Sequence, residues 1–279
     1  MLDKNKKQVV CHRDPGFALG RHITIEYYDC ASDVLIDKNG VESILLQAAR
    51  ESGATIISSS FHQFEPQGVS GVVIIAESHF TVHAWPEHDY AAVDIFTCAD
   101  HIDLDTAIHS IEAQFSSQRV VISSDQNRGI LHPGAGSCMT NNTKKVMDRQ
   151  TLPVAWKKVY ENRNPWGMST SIDVYDCSPD MIKDPDCIKI FVNKVCGKLG
   201  IMDTEKAPLF YLYETGTVAG FSMTGSNGRF GIAGHIAPAT HAVYLDIFSC
   251  NKYEPRELAE FFLSYFRGSH YKMQVALRQ

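Results

Sequence analysis

Residues 64–98 place Phe64, Ser70, Glu77, Ser78, His83, Glu87 and Cys98 in one short stretch. Hydroxyl and thiol groups attack carbonyls, and imidazole, carboxyl and thiol groups carry protons. The densest run reads Ala76-Glu77-Ser78-His79-Phe80-Thr81-Val82-His83-Ala84-Trp85-Pro86-Glu87, and Tyr90-Ala-Ala-Val-Asp-Ile-Phe-Thr-Cys98 follows it. A thiol that donates a proton must first keep it, which suits a shielded, neutral setting. Each residue also has a structural reading. Ser78 alone fits an ordinary strand-end or turn serine, Cys98 a buried thiol, His83 a core histidine and Phe64 a core ring.

An internal repeat sets the elements that carry these residues. Ile25-Glu-Tyr-Tyr-Asp-Cys30 matches Ile172-Asp-Val-Tyr-Asp-Cys177 at an offset of 147. Asp94-Ile-Phe-Thr-Cys98 matches Asp246-Ile-Phe-Ser-Cys250 at an offset of 152. Glu65-Pro-Gln-Gly-Val-Ser-Gly71 faces Glu214-Thr-Gly-Thr-Val-Ala-Gly220 at 149. Three matches in one order, with slowly drifting offsets, indicate a duplication.

In copy one, alternation predicts strands over 22–28, 54–61, 70–76, 80–85, 90–97 and 119–123. Val41, Ile44, Leu45, Ala48 and Ala49 share a helical face that Gly53 ends. Asp103 caps a second helix carrying Leu104, Ala107, Ile108, Ile111 and Phe115. Copy two repeats this order. Residues 1–130 form one module and 166–279 the other. The Gly-, Pro- and Asn-rich stretch from Arg128 to 165 has no sustained period and reads as linker, bounded at 131–165 between the modules. The expected class is α/β (α+β): two tandem modules, each an antiparallel sheet with helices on one face. Their bare faces should meet in a pseudo-dimeric sandwich.

Composition narrows the function. The chain has 279 residues, 44% of them hydrophobic and 21% charged, an ordinary globular balance. Its net charge of −6 and lack of a basic cluster argue against nucleic acid and anionic membranes. No apolar run approaches the roughly 18 residues a membrane helix needs, and the N-terminus does not read as a signal peptide, so the expectation is a cytoplasmic protein. The eight cysteines form no C-x-x-C, which gives no indication of a zinc site or a thioredoxin-like motif.

The Glu77–Glu87 frame, Cys98, the Phe64–Gly71 segment and Gly20-Arg21-His22 together closely resemble the small bacterial and archaeal S-adenosylmethionine decarboxylases. The resemblance spans roughly residues 20–130, and copy two looks like a diverged second module. It implies a self-processing enzyme. Ser78 would attack the Glu77–Ser78 peptide bond, and the chain would part into 1–77 and 78–279, which stay associated. The new terminus would become a pyruvoyl group whose ketone forms a Schiff base with the substrate amine. Neither metal nor pyridoxal phosphate is then required. The resemblance makes Cys98 the proton donor, His83 and Ser70 processing helpers, Phe64 the adenine-stacking ring and Glu87 the ribose ligand. The product would feed spermidine synthesis.

Copy two departs from this pattern. Gapless alignment sets His235 opposite His83 and, depending on the offset, Phe230 or Asn227 opposite Ser78. Tyr213 faces Phe64, Ala219 faces Ser70 and Ala239 faces Glu87. The family builds its site across two modules, so two arrangements stay open. Pairing within the chain would join Ser78 and Cys98 to Tyr213 and His235. Pairing of copy one with copy one in a homodimer would retain Phe64, Ser70, His83 and Glu87. The lost ribose carboxylate also leaves room for a simpler substrate, arginine or ornithine. A third reading is an uncleaved, non-catalytic regulatory homologue.

Overall fold

The computed structural model describes residues 18–130, 155–200, 209–215, 218–224, 230–238 and 240–279, with 209–215 and 218–224 described as backbone only. Copy one runs β1 (Ala18–Tyr28), α1 (Ser32–Ile36), α2 (Lys38–Glu51), β2 (Ile56–Gln63), β3 (Val69–Ile75) and β4 (Ser78–Trp85). It continues with β5 (Tyr90–Thr97), α3 (Leu104–Gln114) and β6 (Arg119–Ile130). Copy two begins after α4 (Trp156–Arg163) with β7 (Gly167–Tyr175), α5 (Pro179–Ile182) and α6 (Pro185–Lys198). It closes with β8 (Leu209–Thr215), β9 (Val218–Thr224), β10 (Phe230–Ala237), β11 (Ala242–Ser249), α7 (Pro255–Tyr265) and β12 (His270–Arg278).

Each copy forms a six-stranded antiparallel sheet. The orders are β2-β3-β4-β5-β1-β6 and, in the same sense, β8-β9-β10-β11-β7-β12. The helices start where short acidic side chains cap them. Asp37 accepts from the Asn39 and Gly40 amides at 3.0 Å each, and Asp103 accepts from the Thr106 amide at 3.1 Å. Their apolar stripes cover one sheet face. Val41, Leu45, Ala48, Ala107 and Ile111 pack with Ile23, Ile25, Phe80, Val93 and Ile95 in one core. Ile188, Phe191, Val195, Leu258 and Phe262 do the same for copy two.

Alternate strand residues point to the other face, and there the two sheets meet. All eight residues of β5 are buried, as a strand covered on both sides requires. A small apolar cluster of Phe96, Ala237, Ala242 and Tyr244 bridges the copies. Buried charges cross the interface beside it. Arg128 of β6 bonds Asp173 through Nε at 2.8 Å and Asp246 through Nη1 at 2.6 Å. Arg278 of β12 reaches back to Glu26 and Asp94. Arg278, Asp246 and Asp173 lie 150, 152 and 147 residues beyond Arg128, Asp94 and Glu26. Each copy's arginine therefore clamps the equivalent two carboxylates of the other, the isologous pattern of a two-fold.

The stretch from Arg128 to 165 that reads as linker carries regular structure at both ends. β6 continues to Ile130 because Gly20 and Arg128 still pair in the ladder, and Trp156–Arg163 is helical. Residues 131–154 lie outside the described residues.

Truncating Arg128 strands two buried carboxylates. Arg128→Ala should lower unfolding stability by about 3–5 kcal/mol in denaturant titrations. Arg21→Ala breaks a more exposed pair with Asp125, 2.7 Å, and should cost less than about 1 kcal/mol.

Candidate active site

Ile75 pairs with Ser78, so Ala76 and Glu77 alone turn β3 into β4. Ser78, the first residue of β4, has φ +142°, while the other positive-φ non-glycine residues lie between +46° and +56°. An L-residue at +142° is strained by about 1–3 kcal/mol. Regular strands send neighbours to opposite faces. The Ser78 torsion instead brings its hydroxyl beside the next side chain, with Oγ 3.1 Å from His79 Nδ1.

The Glu77 peptide is anchored at both ends. Its carbonyl accepts from the Cys98 amide at 2.8 Å. Its carboxylate accepts from the Thr55 amide at 3.1 Å and lies 3.5 Å from His101 Nε2. The bond before Ser78 is therefore held with its carbonyl oxygen already on a backbone donor, the arrangement that stabilises an oxyanion. Gly20 of β1 makes this approach possible. A Cβ there would lie 2.5 Å from the Thr97 carbonyl oxygen and 3.1 Å from Cys98 Cα.

Copy two supplies the next groups. His235 Nε2 lies 3.6 Å from Cys98 Sγ. Burial pushes the Cys98 thiol up to about 12 and the His235 imidazole down to about 3, so both are neutral near pH 7. Asp246 stands 3.7 Å from His79 Nε2 and 3.7 Å from His22 Nδ1. Burial alone would raise Asp246, but Arg128 and the facing histidines hold it well below the usual carboxylate range.

The predicted residues divide between two places. Ser78, Glu77, Cys98 and His235 come together. Ser70, His83, Phe64 and Glu87 do not join them within the chain. His83 lies five residues further along β4, about 16 Å by strand rise. There Ser70 Oγ is 2.7 Å from His83 Nδ1, and the ring stacks on Phe248 at 3.6 Å. Glu87 is exposed and lies 3.5 Å from the Gln67 amide nitrogen. Phe64 is half-buried, edge-on to His62.

This second place is the two-fold counterpart of the first. Ser78 pairs with Thr97, and Phe230 pairs with Ser249, so Phe230 rather than Asn227 occupies the serine's position. It is buried in copy two's core. Register also corrects two alignments. Ser70 pairs with His83, and His235 pairs with Gly220, so Gly220 rather than Ala219 replaces the serine. Among the described residues His235 Nδ1 has no hydrogen-bond partner, where His83 Nδ1 has Ser70. Tyr213 pairs with Gly220 on β8 as His62 pairs with Ser70 on β2, so the register sets Tyr213 opposite His62 rather than Phe64; its side chain and residue Ala239 lie outside the described residues.

Three residues of the site carry no role in the sequence alone. His79 stands in the motif without one, Asp246 serves only to align the copies, and Arg128 falls in the stretch that reads as linker. The signal for Asp246 and Arg128 was their recurrence at the repeat offset. Among the described residues no three His, Cys, Asp or Glu side chains are grouped to hold a metal, and no helix is long and apolar enough to cross a membrane.

The sequence profile described as S-adenosylmethionine decarboxylase matches residues 21–128 and again 168–279. The chain belongs to that family. It is 55% identical over 102 residues to the S-adenosylmethionine decarboxylase proenzyme of Fervidobacterium nodosum, covering 37% of this chain and 74% of that one. It is 48% identical over 117 residues to the proenzyme of Pseudomonas paraeruginosa, covering 42% and 72%. The crystal structure of the adenosylmethionine decarboxylase from Aquifex aeolicus is similar at 33% identity, covering 43% of this chain and 98% of that one, with a TM-score of 0.40.

Strain and burial each give a measurable outcome. Glycine tolerates φ +142° and alanine does not. Ser78→Gly should therefore be more stable than Ser78→Ala by about 1 kcal/mol in denaturant unfolding. Burial holds His22, His83 and His235 at about 3 and His79 at about 4, and raises Asp94 to about 6. At pH 5 the four imidazoles are neutral when folded and charged when unfolded, and Asp94 runs the other way. Unfolding should then take up about three protons. Stability should fall as pH drops from about 6.5 toward 4, read from unfolding curves of the Ser78→Ala chain. A flat profile would contradict buried, neutral histidines.

Proposed function

We propose that the chain is a self-cleaving, pyruvoyl-dependent decarboxylase of S-adenosylmethionine. The observation that carries this reading is the Glu77–Ser78 junction. A strained, buried serine follows a carbonyl held by the Cys98 amide, and the Cys98 thiol lies against His235 of the second copy.

Ser78 Oγ attacks the Glu77 carbonyl carbon. The developing oxyanion receives the Cys98 N–H. The C–N bond breaks, and the Ser78 amine leaves with a proton, which gives an ester. His235 then removes the Ser78 Cα proton, the Cβ–Oγ bond breaks, and residues 1–77 depart with a Glu77 carboxylate. The dehydroalanine at position 78 tautomerises and takes up water, losing ammonia to become the pyruvoyl group. This last carbon is trigonal, so the torsional strain at Ser78 is discharged by the reaction. The site fits such a group: position 78 is buried, and the Cys98 thiol and His235 stand together beside the junction.

Once formed, the pyruvoyl group supplies an electrophilic carbonyl that serves as the electron sink for loss of carbon dioxide. The chain's own part is proton control and water exclusion. Cys98 keeps its proton because burial disfavours the thiolate, and delivers it to the substrate carbon that has lost its carboxylate. His235, neutral and 3.6 Å away, holds the thiol in place. Residues 1–130 act as the catalytic module, joined through 131–165 to residues 166–279, which complete the site. Tyr213, on β8 opposite His62 of the repeat, takes the adenine-stacking role in place of Phe64. Decarboxylated S-adenosylmethionine is the aminopropyl donor for spermidine.

Denaturing mass spectrometry of the purified chain should show residues 1–77 and a 78–279 fragment with a pyruvoyl terminus. The cleaved protein should release labelled carbon dioxide from carboxyl-labelled S-adenosylmethionine, and none above background from arginine or ornithine. A chain that stays whole on long incubation would contradict the self-cleaving enzyme, and release from arginine or ornithine alone would contradict the substrate.

A further inference from the structure

Self-cleavage must remove two protons at Ser78, one from Oγ before attack and one from Cα before elimination. Two imidazoles stand at the site, and they stand at different atoms. His235 Nε2 faces the Cys98 thiol at 3.6 Å, and His79 Nδ1 faces Ser78 Oγ at 3.1 Å. The helper serine that bonds His83 in the counterpart place is absent beside His235, where the register puts Gly220.

His79 is buried, and its Nε2 has no hydrogen-bond partner among the described residues. That nitrogen points to Asp246 Oδ2 of the other copy, 3.7 Å away. A proton on Nε2 is attracted to this carboxylate and leaves Nδ1 bare toward the hydroxyl. Arg128 fixes Asp246 from the far side at 2.6 and 2.7 Å. Ser78, His79 and Asp246 thus form a hydroxyl–imidazole–carboxylate line, the logic of an activated serine. Here the nucleophile and imidazole are sequence neighbours, and the carboxylate crosses the interface between copies.

We infer that His79 is the base that takes the Ser78 hydroxyl proton during self-cleavage, with Asp246 as its positioning residue. The inference rests on the self-cleavage proposed above. The step balances within the chain. The Oγ–H proton moves to His79 Nδ1 as Oγ bonds the Glu77 carbon. The same proton passes to the Ser78 nitrogen as the C–N bond breaks, so His79 ends neutral and the product is the ester. Its charged state exists only in transit, when Asp246 stabilises it. Burial that keeps His79 neutral at rest, at about 4, keeps Nδ1 free to accept.

The test separates attack from elimination. Hydroxylamine cleaves esters, so a chain arrested after attack is cut by it into a 1–77 hydroxamate and a 78–279 chain with a serine terminus. A chain arrested before attack is not cut. Newly synthesised wild type, His79→Ala, His79→Asn and His235→Ala are followed by denaturing mass spectrometry with and without hydroxylamine. Cleavage by wild type is the check on the underlying reading. His79→Ala and His79→Asn should cleave at least ~100-fold more slowly than wild type and resist hydroxylamine. His235→Ala should accumulate the hydroxylamine-sensitive form. Asn can accept the serine hydrogen bond but cannot carry its proton, and circular dichroism with an unchanged unfolding midpoint shows that it folds. Wild-type cleavage accompanied by His79→Asn cleavage within a few-fold, or by a hydroxylamine-sensitive His79→Asn chain, would overturn the assignment.

Discussion

Two buried guanidiniums hold the halves of this protein in register. Arg128 leaves copy one and ends between Asp173 and Asp246, and Arg278 leaves copy two and ends between Glu26 and Asp94. Desolvating so many charges offsets much of their attraction, so the net stabilisation is small. Their consequence is positional. Removing any one partner leaves an uncompensated charge, and any slip of one sheet over the other would do so several times over. The sandwich is therefore fixed in one register, and that register decides which side chains of the two copies meet.

What meets is not the same on the two sides of the pseudo-two-fold. On one side, the strained serine, its glutamyl carbonyl and Cys98 face His235 and Asp246. On the other, the intact Ser70–His83 pair faces Gly231 and Phe248, with Phe230 where a serine would stand. One copy carries the Glu77–Ser78 junction, and the copy opposite presents an imidazole to its Cys98. In the counterpart place Phe230 packs into copy two's core instead. Cys250 likewise has a carbonyl that accepts the Tyr160 hydroxyl at 2.7 Å, a structural contact.

Much of this was legible in the residues. The repeat, the capped helices with their apolar stripes and the strand alternation located both sheets, and a sheet bare on one face required a partner. The Glu77–Ser78 hairpin and Cys98 followed from their motif. The remainder depends on contacts between strands distant in sequence. Arg128 sits beside Gly129 in a stretch rich in turn formers, so local composition pointed to a loop, while its ladder to Gly20 comes from 108 positions away. Ala219 and Gly220 differ by one position that only cross-strand register can resolve. His83 stands out only through the resemblance, since alternation with apolar neighbours reads as a core histidine, whereas His79 gains its place beside Ser78 from a torsion that no periodicity reports.

The central claim is that one chain builds the whole site from its two copies. Subunit complementation tests it directly. Chains carrying Cys98→Ala and chains carrying His235→Ala are denatured together, refolded as a mixture and assayed for decarboxylation of S-adenosylmethionine. If copies pair within a chain, every site lacks either the thiol or the imidazole, and the mixture stays as inactive as the separate variants. If sites form between chains, one partner's Ser78 and Cys98 meet the other's His235, and recovery of a substantial fraction of wild-type activity would contradict the account.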